Sequence, residues 1–404
     1  MACRKQWRQV TAILILALGV RLALLLLTPG NTDIQLYKNV ADIVGQRGIA
    51  TLYAETPGLY PYPPVWVIVQ VLAAKLMQSL GGSFSIYVRF PIVLADVFIV
   101  AILAAWQAKA PKGAHSWAAF LYAVNPVALI VTCLHGQFDA IPIAFLLLAT
   151  FWLALYGRST YSGWSLAFAI AVKGFPVLFL PLHAAYVTSK RERIKLIGLA
   201  TIPVLVLLLP FALRSPSALM RELFGYRGSA LLGFMVPVRS IYVPLAHSSV
   251  PVDVTMQAIR FSAYTFLVAY GVYMLLVWRR RPLLLEDTVV IFALFYAVYA
   301  GIAPQYTLWI LPFLLLMNLR LAMLYTATTT AALVGFYLYA VPSTLPFITQ
   351  TPHWLAQVLY AVGGTSWWLT VVAVLLFALR SIYTVQRPVP APPVRPAAAG
   401  HSLP

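Results

Sequence analysis

Apolar runs of about 20 residues recur from one end of this chain to the other, and they constrain its fold more than any other feature. A helix needs about 20 mostly apolar residues to cross the hydrocarbon of a bilayer. Such runs fall near 10–28, 62–80, 88–106, 115–132, 138–156, 163–187, 194–213, 261–278, 287–303, 305–319, 321–341 and 356–380. Hydrophobic residues make up 62% of the 404 positions and charged residues 9%, where soluble domains carry about 25% charged. A water-soluble core cannot hide that much apolar surface. A cytosolic enzyme, a secreted disulfide scaffold and a disordered chain are thereby excluded. The sequence predicts an all-α polytopic membrane protein, a bundle of about 11–13 transmembrane helices.

The net charge of +18 is spread between the apolar runs, so topology and anionic lipid account for it better than nucleic acid does. Basic loops mark the cytoplasmic side. With the N-terminal Arg4, Lys5 and Arg8 inside, alternation puts Lys190-Arg191-Glu192-Arg193, Arg279-Arg280-Arg281, Arg320 and the tail with Arg380, Arg387 and Arg395 there as well. Lys109 and Lys112 then fall outside, which points to a re-entrant or half-length segment among the second to fourth runs. Two non-cytoplasmic segments are long enough for chemistry, 29–61 and 214–260. The chain divides into a catalytic module over 1–213, a second part over 214–380, and a disordered Pro- and Ala-rich tail over 381–404. Cys3 and Cys133 form neither a disulfide framework nor a metal-ligand pattern. No Walker loop, dinucleotide fingerprint, zinc helix or nucleophile elbow is present.

The residues suited to chemistry cluster at run ends. Asp33 follows the first run by a few residues. Tyr37, Val40, Ala41 and Val44 extend a stripe at helical spacing, which predicts an amphipathic helix along the interface, ending near Gly45 or Gly48. Tyr60, Tyr62 and Trp66 form an aromatic belt around Pro61, Pro63 and Pro64. Asp42 and Glu55 read as surface residues. His135-Gly136-Gln137-Phe138-Asp139 precedes an apolar run, where Asp139 either caps the helix or is a buried functional acid, and His135 alone reads as a packing residue. Lys173-Gly174-Phe175-Pro176 interrupts another run, and Lys173 needs a carboxylate or phosphate. Asp96 needs a base, either Arg89 or one on another span. Pro304-Gln305-Tyr306 is a polar break that reads otherwise as a kink. Arg214, Arg221, Arg227, Arg239 and Arg260 lie in the second outer segment, where guanidinium suits lipid phosphate; Gly225-Tyr226-Arg227-Gly228 is the favoured spot.

Taken in order, Thr32-Asp33-Ile34 with Tyr37, Tyr60-Pro61-Tyr62-Pro63-Pro64, Gly136-Gln137-Phe138-Asp139, Lys173-Gly174-Phe175-Pro176 and Pro304-Gln305-Tyr306 with Trp309 resemble the GT-C superfamily of integral-membrane glycosyltransferases. Among these, the chain resembles the mannosyltransferases of GPI assembly and their prokaryotic relatives most. The resemblance implies a GT-C-like bundle and inverting transfer of a hexose, mannose favoured, from a polyprenyl-phosphate-linked sugar donor to a lipid or glycan acceptor at the outer or lumenal face. It makes Asp33 the base and matches Asp139 to a second acidic position of the catalytic site, with no fixed role. Tyr37, Tyr62, His135, Gln137, Lys173, Arg227, Gln305 and Tyr306 are candidate donor- and substrate-binding residues. Many relatives pair two acids in the first outer loop; here Ile34 and Gln35 follow Asp33, so a divalent cation has little support and no metal ligands are assigned. A prokaryotic cytoplasmic membrane is the favoured location, with the endoplasmic reticulum as the other. The competing reading is a flippase or transporter of lipid-linked sugars.

Overall fold

The computed structural model describes residues 2–109, 117–226, 228–280, 282–348 and 350–385; Lys112, Arg227, Arg281 and the tail from Arg387 lie outside them. The described residues form helices and no strands, and the protein is an all-α polytopic membrane protein. Among the described residues, seven helices are long and apolar enough to cross a membrane, including Trp7–Leu27, Phe84–Lys109, Lys190–Arg214 and Val252–Arg279. The last helix runs His353–Val385, so 381–385 continue it instead of opening a tail. One apolar core is shared by residues from both sides of position 213.

The bundle has two ends, fixed by which helix termini touch. At the first, the end of the first span meets the start of the Phe84–Lys109 helix, with Ser85 Oγ donating to Pro29 O at 2.5 Å. The turn after the Ala118–His135 span lies there too, since Asn31 N donates to His135 O at 3.1 Å. At the opposite end, Lys109 Nζ lies 5.7 Å from the Tyr156 ring and Arg193 lies 5.1 Å from the Trp278 ring. Ser159 Oγ donates to Glu192 there. Lys109 thus joins Lys190, Arg193 and Arg279 at one end.

Two of the runs, 62–80 and 163–187, do not pass between the ends. The Val65–Leu80 helix starts with Trp66 against Tyr37 (ring centroids 5.4 Å apart) and stops at Gly81, whose carbonyl accepts from Tyr87 OH at 2.9 Å. Both its termini belong to the first end, so it is the half-length segment that the misplaced Lys109 and Lys112 called for. Its run is apolar because it packs along the Asp33–Arg47 helix, burying Trp66, Val67, Gln70, Ala73 and Ala74. The stripe Ile34, Tyr37, Val40, Ala41 and Val44 of that helix is buried against protein in turn. The run 163–187 is a hairpin. The Ser159–Val172 helix climbs from the opposite end, the chain breaks at Lys173 and Gly174, and Phe175–Phe179 and Leu180–Tyr186 lead back down. Gly174 and Pro176 oppose continuous helix at this point, and Arg193 returns to Val187 O at 2.9 Å.

Charges inside the bundle are satisfied. Asp96 takes Arg21 Nε at 2.6 Å, Tyr122 OH at 2.6 Å and Thr132 Oγ1 at 3.1 Å, so its partner is the base of the first span and not Arg89. Arg89, fully buried, gives its five N–H groups to neutral oxygens: Ser85 O, Thr28 Oγ1, Cys133 O at 2.7 Å, Leu25 O at 2.8 Å and Thr28 O. Several of these are carbonyls at helix C-termini, where a cation is favoured.

Candidate active site

Asp33 opens the Asp33–Arg47 helix, its backbone N–H held by Asn31 Oδ1 at 2.7 Å. The turn before it passes Gly30 at φ +81°, and the facing turn passes Gly136 at φ +83°, so both need glycine. A Cβ on Gly136 would lie 2.8 Å from both Arg89 Cδ and Ile34 Cδ1. The Arg89 stem is therefore wedged between the two turns and sets their spacing.

That spacing brings the His135-Gly136-Gln137 turn onto the carboxylate. His135 Nε2 lies 3.0 Å from Asp33 Oδ2, and Gln137 Nε2 donates to the same oxygen. Tyr37 OH donates to Gln137 Oε1 at 2.9 Å, which orients the amide with its NH2 toward Asp33. On its other side His135 Nδ1 is hydrogen-bonded to the hydroxyl of Tyr337. Burial raises the pKa of Asp33, but His135, Gln137 and the more distant Lys173 outweigh it and hold the carboxyl below its ordinary value. Asp33 is thus ionised at neutral pH, and its side chain is 26% exposed.

The exposed part faces a cavity of about 300 Å³ at the first end of the bundle, within the range of small-molecule sites. Of the residues the sequence singled out, Asp33, Tyr37, Tyr62, His135, Gln137 and Gln305 line it, and Tyr226 of the second outer segment completes its wall. Glu222 ties the two outer segments together by accepting from Gly58 N at 2.8 Å, and Leu232 N ties the second of them to the turn at Ile302, donating to its O at 2.9 Å. Gly228 approaches Gly301 so closely that a Cβ would lie 2.2 Å from its carbonyl oxygen.

Asp139, Lys173 and Tyr306 lie behind that wall. Lys173, at the hairpin tip, donates to both oxygens of Asp139 at 2.9 Å, and Trp309 Nε1 donates to one of them. Asp139 is fully buried and makes no side-chain cap on the helix that follows. The capping alternative therefore gives way to the ion pair, and with no exposed oxygen Asp139 has no route to a substrate proton. The ammonium sits 5.0–5.7 Å from the ring centroids of Phe138, Tyr62, Tyr306 and Trp309, a cation–π cage. Phe175 stacks on Trp309 at 3.8 Å. Tyr62 is thus common to the cage and the cavity wall. Arg227 lies outside the described residues, while Arg221 pairs with Glu222 at 3.2 Å and Arg239 with Ala230 O.

Tyr337 and Gln70 are wall or support residues that the sequence reading missed. Both sit in apolar helical runs, where a hydroxyl or amide carries no local signal. Among the described residues, no three His, Cys, Asp or Glu side chains converge; a divalent cation at Asp33 would need substrate phosphate to complete its ligands. What the arrangement offers is an ionised, oriented carboxylate beside a small polar and aromatic cavity, able to take a proton from a hydroxyl held there. Compared with protein-family models and with curated proteins, the chain matches no family and no protein.

Proposed function

We propose that this protein is an inverting glycosyltransferase that moves a neutral hexose, mannose for preference, from a polyprenyl-phosphate-linked sugar to a lipid or glycan acceptor. The observation that carries the reading is Asp33: a carboxylate kept ionised by His135 and Gln137, partly exposed, in a cavity at the bundle end away from Lys109, Lys190, Arg193 and Arg279. By the orientation rule those basic residues mark the cytoplasm, so the cavity opens on the outer or lumenal face. A prokaryotic cytoplasmic membrane remains our preferred location.

In this reading the acceptor hydroxyl oxygen attacks the anomeric carbon from the face opposite the phosphate. The bond between that carbon and the phosphate oxygen breaks, and its electron pair leaves with the polyprenyl phosphate. Asp33 takes the hydroxyl proton as it is released. The leaving phosphate needs positive charge more than an acid. The Lys173 ammonium is already neutralised by Asp139, so Arg227 is the candidate for that charge. Asp139 is then a positioning residue: it fixes the Lys173 ammonium behind Tyr62 and Tyr306.

Membranes carrying wild type or Asp33→Asn, given radiolabelled polyprenyl-phosphate-mannose and separately its glucose form, test the proposal. Wild type should pass label into a new glycoside, and Asp33→Asn should lose at least about 100-fold with insertion unchanged. Label that crosses the bilayer without a new glycosidic bond would support the transporter instead.

A further inference from the structure

Gln70 is out of place by every packing criterion. It lies in the middle of the Val65–Leu80 helix, on the face that buries Trp66, Val67, Ala73 and Ala74, where an aliphatic side chain would fill the space at no polar cost. It is 1% exposed, and its Oε1 has no hydrogen-bond partner in the protein. Burying an amide oxygen without a partner costs free energy that a folded chain ordinarily avoids. Of the buried side-chain polar atoms without a partner among the described residues, Gln70 Oε1 alone belongs to a residue lining the Asp33 cavity.

The rest of the wall narrows what completes that oxygen. The same cavity is lined by hydroxyls and amides, namely Tyr37, Tyr62, Gln137, Tyr226 and Gln305, by His135, and by Asp33 as the one carboxylate among the described lining residues. Asp33 disfavours negative charge on the group seated directly beside it, so a phosphate lies farther off, and the tyrosine rings offer flat faces to an apolar or C–H surface. An oxygen acceptor in such a wall calls for a hydroxyl donor on an uncharged polyol. We propose that Gln70 is a specificity residue: when the cavity fills, its amide turns toward the space it lines, and Oε1 accepts a hydrogen bond from one hydroxyl of a neutral sugar seated beside Asp33. This rests on the glycosyltransferase reading for its place in a reaction, but not for the existence of the sugar site. A site built to bond one hydroxyl discriminates strongly against an analogue lacking it, because the protein group is then left unpaired.

The test uses full-length protein in detergent, as wild type and Gln70→Leu. Methyl α-mannoside, methyl α-glucoside and their monodeoxy analogues are the probes, read by saturation-transfer NMR, with heat unfolding measured in parallel. Without sugar, Gln70→Leu should unfold at the same temperature as wild type or higher, since an unpaired buried group has been removed. It should bind the parent glycoside about 10–100-fold more weakly, yet match wild type on the one deoxy analogue that lacks the recognised hydroxyl. A lower unfolding temperature would mean that the amide is bonded structurally through water, and would overturn the assignment. Equal weakening on every analogue, unchanged binding, or no binding of either glycoside by wild type would overturn it as well. If wild type binds glycosides through Gln70 but transfers label from neither polyprenyl donor, the transferase reading fails and the sugar site stands.

Discussion

Removing the Lys173 ammonium should damage this protein more than removing the whole ion pair. At a separation of 2.9 Å and an effective dielectric near 20, the Coulomb attraction is about 6 kcal/mol. Taking both charges from water costs several kcal/mol per ion, so the pair is close to neutral against an apolar replacement. Lys173→Met alone leaves the fully buried Asp139 carboxylate with Trp309 Nε1 as its remaining hydrogen-bond donor, and a stranded charge of this kind costs about 3–5 kcal/mol. At roughly 2 °C per kcal/mol for a larger chain, the Tm should fall by about 6–10 °C. The double variant Lys173→Met with Asp139→Leu should recover most of that loss. Heat unfolding of the detergent-purified proteins, followed by the fraction remaining monodisperse, reads the cycle. A double variant no more stable than Lys173→Met would refute the account of a self-contained buried pair and would require a further partner for one of the two charges.

Other perturbations follow from the geometry. Gln137→Leu removes a donor from Asp33, so the carboxyl pKa rises toward its ordinary value. A base must be ionised to act, so the acid limb of the transfer pH profile should move to higher pH, and His135→Ala should move it further, because His135 is the larger of the two stabilising influences. Gly136→Ala places a Cβ 2.8 Å from the pinned Arg89 stem at φ +83°; we expect a loss of about 2–5 kcal/mol, seen as a lower Tm. Arg89→Lys reduces five donors to three and should cost at least about 3 kcal/mol, with an intact protein rescued by neither salt nor pH.

The run lengths and basic loops carried the fold class, because hydrocarbon thickness and translocation charge act on sequence directly. They could not tell a crossing from a return. Val65–Leu80 is as apolar as a span because a neighbouring helix covers one side of it, and hydropathy does not record what does the covering. Lys109 on the disfavoured side was the trace this left in the sequence. Asp33 was legible because an acid beside a run end is rare in so acid-poor a chain. Its setting was less so: His135 and Gln137 stand about 100 positions away, and Tyr337 about 200 from His135, distances over which a single sequence carries no coupling. Lys173 announced its need for an anion, and Asp139 was among the acids at hand, but that the two satisfy each other emerges only once the hairpin has folded.

The hairpin also sets an order of events during synthesis. A lysine at the centre of a nascent segment costs about 3 kcal/mol to leave in lipid, and Ser159–Val172 is short for a stable span of its own. Its counter-ion Asp139 emerges 34 residues earlier, at the head of a helix already available to receive it. The indole that completes the carboxylate emerges 170 residues after Asp139, once the rest of the bundle up to that point has been made. Lys173 can therefore be drawn into the membrane by charge as soon as the hairpin leaves the ribosome, while the wall of the cavity waits for the C-terminal helices to close it.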